Sequence, residues 1–234
     1  MLRAVSLDLG GTLLTESPSR YQIYAEEAQA EGIDVSSEEM GRVMGAAHAR
    51  LPEVLDGSYR YSDPWFERFI REVFAVELGL DESRLPHVTE RLFARFQDAA
   101  SFALFPGIDA LLTGLRAAGL RVGLLSNWSA RLPKLLEAVG LGGAFDFVVC
   151  SAIDRVEKPD PAAFRLAAAR AGVAPERCVH AGDRADLDGA AADVGMTFVL
   201  VRHGNMPGRE PDDSRAAAVA DGLPSLLQWV EEHL

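Results

Sequence analysis

The chain has 234 residues, with 35 acidic and 23 basic side chains and a formal net charge of −12. Its 48% hydrophobic and 25% charged residues are the usual mix of a folded globular protein, so disorder is excluded as its main state. The acidic balance argues against a nucleic-acid partner, and no block of Lys and Arg suits an anionic membrane surface. No uncharged stretch reaches the ~18 residues of a membrane span. The first apolar run stops at Asp8, unlike a secretory leader. Cys150 and Cys178 each sit in an apolar run and read as small buried residues rather than a disulfide, which points to a reducing, cytoplasmic setting.

Taken in chain order, Met1 to Leu7 reads as a buried strand feeding the tight loop Asp8-Leu9-Gly10-Gly11-Thr12. From Thr15 to Leu104 the periodicity turns helical and shows no convincing strand. Helices are expected over Tyr21 to Ala30, Glu38 to Leu51, Pro64 to Leu78 and Arg84 to Ala99. Further apolar runs follow at Leu120 to Ser126, Phe145 to Cys150, Cys178 to Ala181 and Thr197 to Val201. Helical patterns separate them at Ile108 to Ala118, Leu132 to Val139, Ala162 to Ala171 and Leu187 to Val194, and an amphipathic helix is expected over Gly222 to Leu234. Strands alternating with helices mean a mostly parallel sheet covered on both faces. The expected organisation is a core of residues 1–14 plus 105–234, interrupted by a helical insert at 15–104.

Open parallel sheets bind ligands at the carboxyl ends of their strands. Four chemically loaded stretches fall there: Asp8 to Thr12, Ser126-Asn127-Trp128, Glu157-Lys158-Pro159-Asp160-Pro161, and Gly182-Asp183 with Asp186 and Asp188. Each alone has an ordinary reading. A carboxylate after a strand is commonly a helix cap, Ser-Asn is turn chemistry, and a Lys before a Pro is a solvated loop charge. Together they place several carboxylates, one of only two lysines and a hydroxyl-amide pair at one sheet edge, which is a metal-plus-phosphate constellation.

In order and separation, Asp8-Leu9-Gly10-Gly11-Thr12-Leu13-Leu14, Ser126-Asn127, Lys158-Pro159-Asp160-Pro161 and Gly182-Asp183 with Asp188 resemble the four motifs of the haloacid dehalogenase superfamily. The resemblance covers the whole chain, and the helical insert falls where that family carries its C1 cap. One branch also lacks the second Asp of the first motif. It carries a Tyr-rich early cap helix, here Tyr21 and Tyr24, before a Trp-containing one, here Trp65. The resemblance implies a Rossmann-like α/β core with an inserted helical C1 cap. It also implies a hydrolase, most simply a Mg²⁺-dependent phosphatase acting on a small phosphorylated molecule, as a monomer or homodimer. Asp8 would be the nucleophile, Lys158 its electrostatic partner, and Asp8, the Gly10 carbonyl, Asp183 and Asp188 the Mg²⁺ ligands. Gly11, Thr12, Ser126 and Asn127 would cradle the phosphoryl group.

The departure is Gly10. Phosphatases of the superfamily carry there the Asp that protonates the leaving group and activates water, and its loss costs on the order of 10²- to 10⁴-fold in rate. Glu16, Tyr21, His48 and Asp63 are the candidates to replace it, and aryl or acyl phosphates suffer least from its absence. Phosphonate hydrolysis, which needs a cap lysine, is excluded because no Lys precedes Pro133. The alternatives are a weakened phosphometabolite-binding protein and, more remotely, a haloacid dehalogenase. Tyr59, Tyr61, Trp65, Phe66, Phe69 and Phe74 are expected to pack the insert, His180 to lie under the sheet edge, and His87 and His203 to lie at the surface. Trp128 is expected to lie near substrate as readily as not. Arg155 and Arg184 flank the motifs and read as solvated charges.

Overall fold

The computed structural model describes residues 1–204 and 213–234. In chain order, β1 (Ala4–Leu7) and β2 (Leu14–Glu16) lead into α1 (Arg20–Ala30) and α2 (Ser37–Arg50). A hairpin of β3 (Val54–Leu55) and β4 (Ser58–Tyr59) precedes α3 (Asp63–Arg71) and α4 (Leu85–Arg95). The strand β5 (Phe102–Leu104) then gives way to α5 (Ile108–Ala117), β6 (Arg121–Ser126), α6 (Leu132–Ala138) and β7 (Phe147–Cys150). The remainder runs through α7 (Ser151–Asp154), α8 (Pro161–Ala171), β8 (Cys178–Gly182), α9 (Ala185–Asp188), β9 (Thr197–Arg202), β10 (Ala218–Asp221) and α10 (Gly222–Glu232).

The chain divides into two compact units, one of Met1–Thr15, Leu104–Asn127 and Leu141–Leu234, the other of Glu16–Ala103 and Trp128–Gly140. The first is built on a six-stranded sheet in the order β10-β9-β8-β1-β6-β7, with every pairing between these strands parallel. The chain builds outward from β1 in both directions, so the strand order reverses there and leaves a crevice at the carboxyl ends of β8, β1 and β6. Leu7 lies beside both Leu124 and Ala181, which brings Asp8, Ser126 and Asp183 to one edge. Side chains alternate across the sheet. Ala4, Leu125, Phe147, Val149, Cys178, Phe198 and Leu200 pack under Phe164 and the alanines of α8. Val5, Leu7, Val122, Leu124, Val179 and Val199 are equally buried. Helix α8 starts under a cap from Asp160, whose carboxylate accepts from Ala162 N at 2.8 Å, and stops at left-handed Gly172.

The second unit closes around its own core of Ile23, Tyr24, Met40, Met44, Trp65, Phe69, Ile70, Val73, Phe74, Val88 and Leu92. Ser19 and Ser36 cap α1 and α2 through their hydroxyls, as their position before each apolar repeat dictates. Trp65 is 1% exposed and donates its indole N–H to Pro52 O at 2.8 Å, which resolves the one polar atom its burial would strand. The aromatic residues singled out above all lie in this unit. Arg91 ties α4 to α1 through 2.6 Å contacts with Glu27 and Glu31.

Several sequence expectations are corrected. The insert is not free of strands: β3 and β4 turn at Asp56 and Gly57, both with positive φ, the geometry of a two-residue Asp-Gly hairpin. The helix expected over Pro64 to Leu78 ends at Arg71 and continues as a π turn over Glu72–Glu77, with Val73 and Phe74 still buried. The Ala-rich run Leu187 to Val194 is not one helix but α9 followed by a 3₁₀ stretch over Gly189–Val194. A sixth strand, β10, is too short and too Ala-rich to announce itself by periodicity. His203 is only half-exposed: its ring stacks on Phe105 at 3.6 Å and its Nε2 lies 2.9 Å from Thr12 O.

Candidate active site

Asp8 leaves β1 with its N–H donating to Ala181 O at 2.9 Å, then the chain folds back in a tight loop. The N–H groups of Leu13 and Leu14 both converge on Leu9 O, and Gly11 N donates to Leu14 O at 2.7 Å. Gly11 has φ +85°, and a Cβ there would overlap the Asp183 carboxylate, so both the backbone conformation and the close approach require glycine. Thr12 is fully buried, and its Oγ1 has no hydrogen-bond partner among the described residues. Gly182 is constrained by close approach alone, because a Cβ would strike the Asp188 carboxylate.

One carboxylate oxygen each from Asp8, Asp183 and Asp188 falls within 4.8 Å of the others. Lys158 enters this group from the segment between α7 and α8, with its Nζ 2.7 Å from Asp8 Oδ1 and 2.5 Å from Asp188 Oδ1. The ammonium is 2% exposed, so it acts in a low-dielectric setting where its charge is felt strongly. Burial opposes that charge, but Asp188 and Asp8 outweigh burial and hold the lysine above its usual range. Burial likewise pushes the Asp8 carboxyl up, with Lys158 opposing and Asp188 adding to it. Burial would raise Asp188 too, yet Lys158 and the bond from His180 hold it well below the carboxylate range.

Two side chains have uses that sequence reasoning missed. Asn127 accepts from Lys158 N at 2.8 Å through Oδ1 and donates to Lys158 O at 2.7 Å through Nδ2. Its amide thus clamps the peptide that carries the lysine. His180 bonds Asp188 with Nε2 at 3.0 Å and faces Ser6 Oγ with Nδ1 at 2.9 Å. Neither role has a sequence signal, since both depend on which strands become neighbours. Ser126 lies 1% exposed at the end of β6, Gly10 bridges to Leu14 within the loop, and Arg184 pairs in a fork with Asp186. Of the candidates to supply an acid, Glu16 pairs with Arg20, Asp63 with Arg131 at 2.8 Å, and His48 packs among Tyr61, Trp65 and Phe69. Tyr21 is 44% exposed. All four belong to the second compact unit, whereas every motif residue from Asp8 to Asp188 lies in the first. Trp128 rests against Phe102.

The donor set is hard: three carboxylates face one ammonium, and close glycine packing holds Asp183 and Asp188 in place. That composition fits an oxygen-loving divalent cation and an anionic ligand rather than thiolate or imidazole chemistry. Residues 2–194 match the haloacid dehalogenase-like hydrolases, and the chain belongs to that family and is a hydrolase. It is 32% identical over 229 residues to haloacid dehalogenase-like hydrolase domain-containing protein 3 of Bos taurus, covering 95% of this chain and 88% of the relative. It is also 31% identical over 245 residues to a glyceraldehyde 3-phosphate phosphatase of Methanopyrus kandleri, covering 99% and 98% of the two chains. The crystal structure of the L-2-haloacid dehalogenase RSc1362 superposes with a TM-score of 0.72 at 24% identity, over 98% and 99% of the chains, a likeness of fold alone.

Proposed function

We propose that this chain is a Mg²⁺-dependent phosphatase of small phosphorylated metabolites, working through an aspartyl-phosphate on Asp8. The observation that carries the reading is the Lys158 ammonium, buried and shared between Asp8 and Asp188 beside a third carboxylate. The phosphatase names among its relatives support the choice of substrate class.

Asp8 Oδ attacks phosphorus, the bond from phosphorus to the leaving-group oxygen breaks, and water then cleaves the aspartyl-phosphate to release inorganic phosphate. Asp8, Asp183, Asp188 and the Gly10 carbonyl would hold Mg²⁺, which supplies the positive charge that lets a carboxylate approach a phosphate. Lys158 contributes its own charge at Asp8. The Thr12 and Ser126 hydroxyls and the Asn127 N–H receive the phosphoryl oxygens, while Gly11, whose own N–H is spent on Leu14 O, keeps the loop close enough to cradle them. Gly10 supplies no proton, so the leaving group departs best when its oxygen is already a stable anion. Gly10 is also the observation that favours a second reading, a phosphometabolite-binding protein with weakened turnover.

Phosphate release from phosphometabolites, aryl phosphates and acyl phosphates, with and without Mg²⁺, decides between them. Turnover that needs Mg²⁺ and vanishes in Asp8→Asn is the expected result. Wild type and Asp8→Asn equally silent, with phosphate still bound, establishes the second reading.

A further inference from the structure

The centre of the sheet carries a polar pair where apolar residues would serve stability as well. Ser6 on β1 and His180 on β8 are cross-strand neighbours, 3% and 0% exposed, on the face that packs against Phe164 of α8. A hydroxyl and an imidazole taken out of water cost free energy unless both are hydrogen-bonded. Here each is, and the bonds run in one direction. Ser6 Oγ lies 2.9 Å from Nδ1, and Nε2 lies 3.0 Å from Asp188 Oδ1, the oxygen that also receives Lys158 Nζ. An ionised carboxylate only accepts, so in the neutral ring Nε2 carries the proton and Nδ1 accepts from the serine hydroxyl. Asp188 Oδ2 is taken by Arg184 N at 2.9 Å. Three donors from three directions therefore leave the carboxylate no freedom to turn.

We propose that His180, oriented by Ser6, is a positioning residue for Lys158. It fixes Asp188 Oδ1, and Asp188 in turn holds the ammonium against Asp8. Without the imidazole N–H, Asp188 rotates toward the charges left to it, and Lys158 loses its fixed place beside Asp8. Outer-layer groups of this kind are typically worth about 10- to 100-fold in activity.

The chain has only two lysines, Lys134 and Lys158, so side-chain nitrogen resonances of lysine-labelled protein are assignable with Lys134→Arg alone. His180→Phe keeps the ring packed on Phe164 and removes the donor. His180→Gln restores an amide N–H near the position of Nε2. In metal-free full-length protein, the slowly exchanging Lys158 ammonium signal is expected in wild type, lost in His180→Phe and recovered in His180→Gln. With p-nitrophenyl phosphate and Mg²⁺, kcat falls about 10- to 100-fold in His180→Phe with KM unchanged, and His180→Gln recovers it. Ser6→Ala shows the same pattern in weaker form, and it carries the test if His180→Phe does not fold. The proposal is overturned if His180→Phe leaves signal and kcat unchanged, or if the Gln and Phe variants lose both alike along with thermal stability. The kinetic arm rests on the phosphatase reading; the lysine arm does not, so a wild type without turnover sinks that reading while the resonance still decides the role of His180.

Discussion

At the scale of single residues, the site is a problem of compensating buried charge. Lys158 has two carboxylate partners within 2.7 Å and is itself 2% exposed, so removing it strands like charges in a dry setting. Lys158→Met should therefore cost about 3 kcal/mol in urea unfolding without Mg²⁺. Adding Asp8→Asn should return part of that loss. Phosphate release by Lys158→Met should drop by at least ~10²-fold. Recovery in the double variant separates charge repulsion from lost packing. The letters Asp8 and Asp183 were legible as candidates because each directly follows a strand, and Lys158 and Asp188 because they recur downstream of the next strands in a fixed order. Asn127 and His180 were not read for what they do. An amide that clamps a peptide 31 residues away exists only once β6 lies beside β7, and an imidazole paired with a serine 174 residues away only once β1 lies beside β8.

At the scale of elements, small residues mark where strands carry bulky neighbours. Gly123 on β6 pairs with Phe147 on β7, and a Cβ at position 123 would overlap the phenyl ring. Gly123→Val should destabilise the chain by roughly 1–3 kcal/mol in denaturant unfolding, despite the higher strand propensity of valine. On α2, burial and the Arg60 charge hold the His48 imidazole below its usual range. The folded state then takes up a proton less readily than the unfolded chain, so stability is lost as pH falls below about 6.5. The melting temperature should drop in that window, and His48→Phe should flatten part of the drop. The rest is assigned to His203, which is shifted the same way by burial. Helices were readable where caps and apolar repeats agreed, as in α1, α2 and α8. They were misread where alanine alone carried the pattern, because a run such as Gly189–Val194 satisfies 3₁₀ and α geometry almost equally.

At the scale of the whole molecule, each compact unit buries hydrophobic residues of its own, and that implies separable stabilities. Trp65→Ala should cost the second unit about 3–5 kcal/mol, seen as lost amide-exchange protection over residues 16–103. Mg²⁺ affinity measured on the same variant should stay at the wild-type value, because Asp8, Asp183 and Asp188 all belong to the first unit. A parallel fall in Mg²⁺ affinity would contradict that separation. The alternation of apolar runs with helical repeats determined an α/β sheet without any coordinates, since a side-chain period of 2 or 3.6 is written locally in the chain. The order of four motifs determined the family for the same reason. What only the tertiary structure decided is which of those motifs share a charge. The strand order β8-β1-β6 and its register bring residues from positions 6 to 188 within bonding distance, and it is burial that turns Lys158 from an ordinary loop cation into the partner of two carboxylates. No local pattern encodes that, because the energy of a buried charge depends on neighbours that the chain acquires only by folding.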